Sequence, residues 1–486
     1  MIAIDDVRWT YAGATTPSLD GFTLHVRPGE TVVLCGASGS GKSTALRLMN
    51  GLVPHFHDGV LTGTVHVAGL PVADTPLEQL GRRTGTVLQH PRRQFFTDQV
   101  VPEVAFALEN FGEDPARIRD RVAAVRAEHH LAELAGRPLG VLSGGQQQRV
   151  ACAAAVAHEP ALVLFDEPTS NLSPDATRRL VETLRGLREA GTTVVIAEHR
   201  LHLVREIADR VVVLRDGRVH ADWTAAELSR LDDATLEAEG LRGARATQAR
   251  VLPAVRASGA SIVRRSDAAT GPVGEENPGL TLENVRCGFR GRVVLDVERA
   301  HLAAGTVTAV RGPNGAGKTT LARVVAGLQR HQGVVRLDGR PLSRARRQRS
   351  TSIVMQDVQR QLFTDSVTAE VRLDPLADAG SAGRAQALLR DLGLETLGER
   401  HPLALSGGQQ QRLVVATARL ARRPVVVLDE PSSGVDRRHL ASITRVIREI
   451  ADDGAVVLLV SHDEELIGLA ADHELVLGAP EGAATR

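Results

Sequence analysis

Gly36-Ala37-Ser38-Gly39-Ser40-Gly41-Lys42-Ser43-Thr44 decides how this chain folds. It follows an apolar run, Thr31-Val-Val-Leu-Cys35, and opens a segment, Lys42–Asn50, that contains neither Gly nor Pro. The pattern reads as a buried strand turning through glycines into a helix. Such a turn aims backbone N–H groups at one point, and the helix dipole adds positive potential there, so it cradles phosphate. Lys42 is placed to reach β- and γ-phosphates and Ser43 to hold Mg²⁺. The turn returns as Gly312-Pro-Asn314-Gly315-Ala-Gly317-Lys318-Thr319-Thr320, after Thr306-Val-Thr-Ala-Val310 and before Lys318–Ala326. Of the 58 basic residues only two are lysines, Lys42 and Lys318. A chain that uses arginine elsewhere has kept an ammonium only where a guanidinium would not serve. The first cradle takes in Gly36, Ser38, Gly39, Gly41, Lys42, Ser43 and Thr44; the second, Gly312, Asn314, Gly315, Gly317, Lys318, Thr319 and Thr320.

Working outward, more of the sequence repeats. Leu142-Ser-Gly-Gly-Gln-Gln-Gln-Arg149 returns as Leu405-Ser-Gly-Gly-Gln-Gln-Gln-Arg412, and Leu164-Phe-Asp-Glu-Pro168 as Val427-Leu-Asp-Glu-Pro431. The offset is 276 residues at the lysines, 267 at Gln89 and Gln356, and 263 from Ser143/Ser406 to His199/His462. This predicts two homologous domains, residues 1–236 and 280–486, joined by 237–279. The joining stretch is rich in Ala, Gly, Ser, Thr and Arg and reads as a linker, with a helix over Arg242–Ala257 as the alternative. Apolar runs at Ala161–Phe165, Val425–Leu428, Thr192–Ala197 and Ala455–Val460, alternating with helical segments, imply an α/β fold with a mostly parallel sheet covered on both faces.

Composition narrows the function. At 486 residues the chain exceeds one ordinary domain; 43% hydrophobic and 24% charged residues fit a globular protein. Basic and acidic residues both number 58, which argues against a chain built to coat nucleic acid. Three scattered cysteines, Cys35, Cys152 and Cys287, offer no disulfide framework or CxxC site and fit a reducing cytoplasm. The start Met-Ile-Ala-Ile-Asp-Asp lacks a signal-peptide pattern, and no apolar run is long enough to span a bilayer.

Other residues add chemistry to the cradles. Asp166 and Asp429 end apolar strands, where a carboxylate can orient Mg²⁺, and Glu167 and Glu430 follow as candidate general bases. Gln89 and Gln356 close strands and are placed for both the metal and the attacking water; His199 and His462 follow the next buried strands, placed for the γ-phosphate. Tyr11, the only tyrosine, and Phe289 at its repeat position offer rings for adenine or for the core. Ser143, Gly144, Gly145 and Ser406, Gly407, Gly408 start helices and form second anion sites. The His55-x-His57 pair lacks a third ligand and is discounted as a metal site.

This ordered set of phosphate loop, Gln loop, LSGGQ signature, Asp-Glu pair and switch histidine resembles the ATP-binding cassette (ABC) ATPases over both domains. Gln94-Phe-Phe-Thr-Asp-Gln-Val with Glu103-Val-Ala-Phe-Ala-Leu-Glu-Asn110, echoed by Gln361-Leu-Phe-Thr-Asp-Ser-Val-Thr-Ala-Glu370, looks like the Gln-loop stretch of energy-coupling factor importers. The resemblance implies P-loop NTPase domains, each with an antiparallel β and a helical subdomain. It also implies ATP and Mg²⁺ as ligands and a peripheral ATPase on the cytoplasmic face of the membrane. The implied partners are a transmembrane scaffold and a small substrate-binding membrane subunit, with no nucleic acid. The two halves would pair, Lys42, Glu167 and His199 facing Ser406–Gly408, and Lys318, Glu430 and His462 facing Ser143–Gly145.

Two departures stand out: Ser173 takes the place of an expected Asp, which copy two keeps at Asp436, and Arg372-Leu-Asp-Pro-Leu replaces the second Phe-Ala-Leu-Glu-Asn. The first predicts unequal ATP sites. The rival readings are a soluble tandem ABC protein acting on ribosomes, which the short lysine-free linker and zero net charge disfavour, and the motor of a conventional ABC transporter.

Overall fold

The computed structural model describes residues 1–37, 39–170, 172, 174–198, 201, 205–232, 235–236, 239, 241, 250–255, 257–263, 278–289, 292–373, 381–435 and 437–478. Contacts divide the chain into two compact units, Met1–Ala246 and Thr247–Arg486.

Unit one has a six-stranded sheet in the order Arg218–Thr224, Arg210–Arg215, Thr31–Cys35, Thr193–Ala197, Leu162–Asp166, Thr84–Val87. All its pairs are parallel except the hairpin at the first edge. Every residue of Thr31–Cys35 and Thr193–Ala197 is buried, as continuous apolar strands between two helical layers must be. A second, antiparallel sheet is formed by Leu19–Val26, Ile2–Tyr11, Gly59–Val67 and Leu70–Pro71. Its alternating inner face (Ile2, Ile4, Val7, Trp9) packs with α1 (Lys42–Met49) and the parallel sheet in one apolar cluster. Further helices include α2 (Leu52–His55), α3 (Leu77–Arg83), α4 (Val100–Asn110), α5 (Pro115–Glu128), α6 (Gly144–Val156) and α7 (Pro174–Glu189). α4, α5 and the outer face of α6 form a helical subdomain with its own apolar cluster around Val104, Val125, Leu131 and Val150.

Unit two repeats this plan. Its parallel sheet runs Thr351–Val354, Val425–Asp429, Val456–Val460, Val307–Arg311, His473–Val476. Its antiparallel sheet runs Ala257–Ser258, Arg292–Ala303, Gly279–Phe289, Gln332–Leu337, Arg340–Pro341. Part of the stretch read as a linker therefore belongs to this unit. Leu252 is buried in its core, Val255 N–H donates to Glu474 O at 2.8 Å, and Ala257–Ser258 adds an edge strand to Arg299–Ala300. None of the described residues of Arg242–Ala257 is helical; 242–249 and 256 lie outside the described residues.

Candidate functional site

The phosphate loops are held by backbone geometry that only glycine permits. Gly36 has φ +135°, and a Cβ there would lie 2.2 Å from Leu214 O; Gly312, at φ +142°, would meet Leu477 O at 2.2 Å. Each loop thus rests directly on the strand beside it. Gly41 and Gly317 then cap α1 and Lys318–Val325 in the left-handed conformation. Lys42 Nζ donates to Gly36 O at 2.9 Å and Ala37 O at 3.0 Å; Lys318 Nζ donates to Gly312 O at 2.7 Å and Pro313 O at 3.1 Å. Both ammonium groups are buried against their own loops, and burial lowers the pKa of Lys318. Ser38 lies outside the described residues.

Parallel strands ending side by side bring the acids to the cradles. Ser43 Oγ donates to Asp166 Oδ1 at 3.2 Å, and Thr319 Oγ1 to Asp429 Oδ2 at 3.2 Å. Burial, then the neighbouring Glu167 charge, pushes the Asp166 carboxyl up to about 6; burial raises Asp429 too. A cation at either carboxylate would offset that cost. Hydroxyl, carboxylate and amide oxygens are the hard donors Mg²⁺ takes, and with phosphate oxygens and water it needs only one or two carboxylates. The residues fit the metal. Among the described residues no group of three or more His, Cys, Asp or Glu gathers into a separate metal cluster. His55 Nε2 lies 2.7 Å from Val72 O, while His57 sits edge-on to Tyr11 and Phe56.

Glu167 and Glu430 share a feature the sequence does not announce. Both have positive φ, 44° and 56°, and their N–H groups donate to Ala197 O and Val460 O at the ends of neighbouring strands. Left-handed backbone at a non-glycine residue costs about 1–3 kcal/mol and persists where the surroundings enforce it, often at reactive positions. Gln89 Nε2 donates to Glu167 Oε2 at 2.7 Å. In unit two Gln356 is exposed, and Glu430 Oε2 instead accepts from Ser461 Oγ at 3.3 Å and the His462 N–H at 3.4 Å, with His462 Nε2 3.9 Å from Oε1. The loops behind the acids differ as well: Thr169 bonds buried Glu198, whereas Ser432 bonds buried Asp463. His199, Ser173 and Asp436 lie outside the described residues, and with them the basis for unequal ATP sites.

Tyr11 is partly buried, its Oη within 3.3 Å of Thr44 Oγ1 and accepting from Arg47 at 3.2 Å, so its ring is tied to the phosphate-loop helix. Of Phe289 only the backbone is described. Ser143 and Ser406 cap their helices reciprocally with Gln146 and Gln409, leaving Gly144–Gly145 and Gly407–Gly408 to present the first helical N–H groups.

After the Gln loops lies a second construction repeated in both units. Gln94 Oε1 accepts from Leu88 N–H at 2.8 Å, as Gln361 Oε1 does from Met355 N–H at 2.7 Å. Glu103, 4% exposed, accepts from Phe96 N, Thr97 N and Thr97 Oγ1; Glu370, 3% exposed, accepts from Phe363 N, Thr364 N and Thr364 Oγ1. Arg92 Nε donates to Gln147 at 3.0 Å, and Gln359 to Gln410 at 3.1 Å, joining each Gln loop to the helix begun by Ser-Gly-Gly. Gln94 and Glu103 are internal anchors, and Phe95 packs against two apolar clusters. Phe96 is the residue left outside, 74% exposed and stacked on Phe106 at 4.5 Å; Phe363 matches it at 79%. The Thr97/Glu103 and Thr364/Glu370 pairs, at one common offset of 267, are the signal that could have exposed the anchors from sequence.

The family model described as ABC transporter matches residues 19–170 and 296–433, which spans both phosphate loops and both Asp-Glu pairs. The chain belongs to the ABC transporter family. It carries two ABC cassettes, and it is an ATPase that binds ATP. An ABC transporter ATP-binding protein of Treponema denticola, provisionally so named, is 36% identical over 98% of this chain and 95% of its own length. A Bacillus subtilis protein provisionally named an HMP/thiamine import ATP-binding protein is 32% identical, covering 98% of this chain and 90% of itself. An archaeal ribosome recycling factor, solved in complex with a ribosomal stalk protein, gives a TM-score of 0.59 at 21% identity over 97% of this chain and 87% of that one. At that identity the likeness is one of fold alone. No helix among the described residues is long and apolar enough to cross a membrane.

Proposed function

We propose that this ABC ATPase drives an importer of the energy-coupling-factor type, taking up a small nutrient such as a vitamin, a vitamin precursor or a metal ion. The observation that carries the reading is the pair of exposed phenylalanines, Phe96 and Phe363, held at matching positions just after the two Gln loops. A large aromatic ring on a loop anchored by a buried carboxylate, left in water at the same place in both cassettes, suits a surface that another protein covers. A transmembrane scaffold is the partner it fits, with a small substrate-binding membrane subunit beside it, and the ATPase then sits peripherally on the cytoplasmic face of the membrane. The import name of the Bacillus relative supports this choice over a ribosomal role.

In each cassette Lys42 or Lys318 exchanges its loop carbonyls for the β- and γ-phosphates, and loop N–H groups hold the remaining oxygens. Ser43, Asp166 and Gln89, or Thr319, Asp429 and Gln356, are the residues that would hold Mg²⁺, which neutralises charge on the phosphates when bound. Glu167 and Glu430 take a proton from the attacking water, while Gln89 in one cassette and His462 in the other orient the acid. The Arg92–Gln147 and Gln359–Gln410 bonds connect each Gln loop to its signature helix, so a change at the nucleotide reaches the phenylalanine loop through few contacts. The test is to purify the full chain from its own cells in mild detergent. Integral membrane proteins should accompany it, and Phe96→Ala with Phe363→Ala should release them while ATP binding stays intact. Fractionation with ribosomes, indifferent to both substitutions, would favour the rival.

A further inference from the structure

Unit one contains a cleft of about 1100 Å³, with charged and apolar residues in its lining, between the end of α5, the side of α6 and the face of α7. The repeat offers a comparison: unit two keeps a smaller cleft of about 460 Å³ at the corresponding positions, and fills with hydrocarbon the end that lies beside α5 in unit one. At the constant offset of 263, Leu389 and Leu392 stand where unit one has Arg126 and His129, and Val446 where it has Thr183. The backbones correspond: His129 N–H donates to Val125 O as Leu392 N–H does to Leu388 O, and Leu131 to Arg126 O as Leu394 to Leu389 O. In unit two these leucines join Ile443, Val446, Ile447 and Ile450 in one apolar cluster that continues to the parallel sheet. In unit one the corresponding core is split into a helical-subdomain cluster and a sheet cluster.

Two residues that line this cleft each carry a buried polar atom with no hydrogen-bond partner among the described residues, Arg126 Nε and His129 Nδ1. His129 as a whole is 8% exposed, and burial draws its pKa down to about 4, so the ring is neutral near neutral pH. Buried polar atoms are nearly always paired, because an unmet bond costs more than a made one gains. A cationic side chain in the last turn of α5 favours the helix dipole, but an exposed guanidinium would serve that purpose as well. The other arginines at the cleft are engaged: Arg121 with Glu128 and Glu159, Arg149 with Glu133. Arg179 is exposed on the α7 side, with Glu182 along the same helix.

We propose that this cleft binds a small oxyanion, a phosphate- or carboxylate-bearing ligand, with half-buried Arg126 and buried His129 as the donors and Arg179 at the mouth. A planar guanidinium is suited to either group. Bound there, the ligand braces the helical subdomain, which carries Ser143, against α7; unit two achieves the same with leucines. The inference does not depend on which membrane partner the protein has.

The test uses the full chain carrying Glu167→Gln and Glu430→Gln with saturating Mg-ATP, so that both phosphate loops stay filled. Inorganic phosphate and succinate are titrated separately by calorimetry, which tells a phosphate site from a carboxylate site. Saturable binding of one of them is expected, weakened about tenfold or more by Arg126→Gln and lost when Arg126→Leu and His129→Leu install the residues of unit two. Arg126→Gln preserves the fold if the double leucine change does not. No saturable binding of either anion, or equal binding by parent and Arg126→Gln, overturns the proposal.

Discussion

Replacing Glu103 by Ala should loosen the phenylalanine loop of the first cassette without touching nucleotide binding. One buried oxygen of Glu103 accepts from Phe96 N at 3.0 Å, Thr97 N at 2.9 Å and Thr97 Oγ1 at 3.0 Å. Bonds to an ionised group contribute about 1.5–3 kcal/mol each, so simple addition gives roughly 5–9 kcal/mol. Two effects shrink that figure. Water can reach donors on a loop whose Phe96 is 74% exposed, and removing the carboxylate relieves the cost of keeping a charge 4% exposed. The net loss should be about 3 kcal/mol, with Glu103→Gln, which keeps an acceptor oxygen, nearer about 1 kcal/mol. For a unit of this size about 3 kcal/mol lowers the melting temperature by roughly 6–12 °C. Thermal unfolding followed by near-ultraviolet circular dichroism reads this directly, and a fluorescent ATP analogue checks that affinity is unchanged. Glu370→Ala should do the same in the second cassette, where the three bonds measure 3.0, 2.9 and 2.7 Å. A melting shift under about 2 °C, or a loss of ATP affinity in step with stability, would refute the assignment of Glu103 as a loop anchor.

Three further outcomes can be checked. Glu167→Gln with Glu430→Gln should retain ATP binding and lose at least about 100-fold in turnover, because general-base loss costs about 10²–10⁴; wild-type phosphate release by the double variant would unseat both glutamates. Asp166 has its carboxyl pushed up to about 6, so its protonated form is the one folding favours, and that stabilisation fades as pH rises through about 6. Mg²⁺ needs the carboxylate, so the Mg²⁺ midpoint for turnover should rise as pH falls below about 6, and a midpoint flat across that range would contradict the metal assignment. Phe95→Ala should cost about 2–3 kcal/mol of stability and Phe96→Ala about none, since only the first ring packs into the two clusters; equal melting curves would mean the inward and outward assignments are wrong.

The phosphate cradles, the two-fold repeat and the strand-ending acids were all legible in the sequence, because each depends on spacing within one short segment. A glycine turn between a strand and a helix makes an anion site wherever it is placed, and two lysines kept among 58 basic residues marked both copies. Contacts between segments were not legible. Only the folded chain shows that Gln89 meets Glu167 while Gln356 is exposed, or that both glutamates are held at positive φ by the ends of neighbouring strands. Adjacent Phe95 and Phe96 have the same side chain and opposite fates, decided by the three bonds Glu103 makes from α4. The Ala- and Arg-rich stretch that composition reads as a linker gains an edge strand and a buried leucine, because the rim of unit two offers unpaired backbone to it. Local pattern determined which chemistry the chain carries. Which residues that chemistry is connected to depended on packing between elements far apart in sequence, where a hydrogen bond or an apolar contact is specified by position in space and leaves little trace in order along the chain.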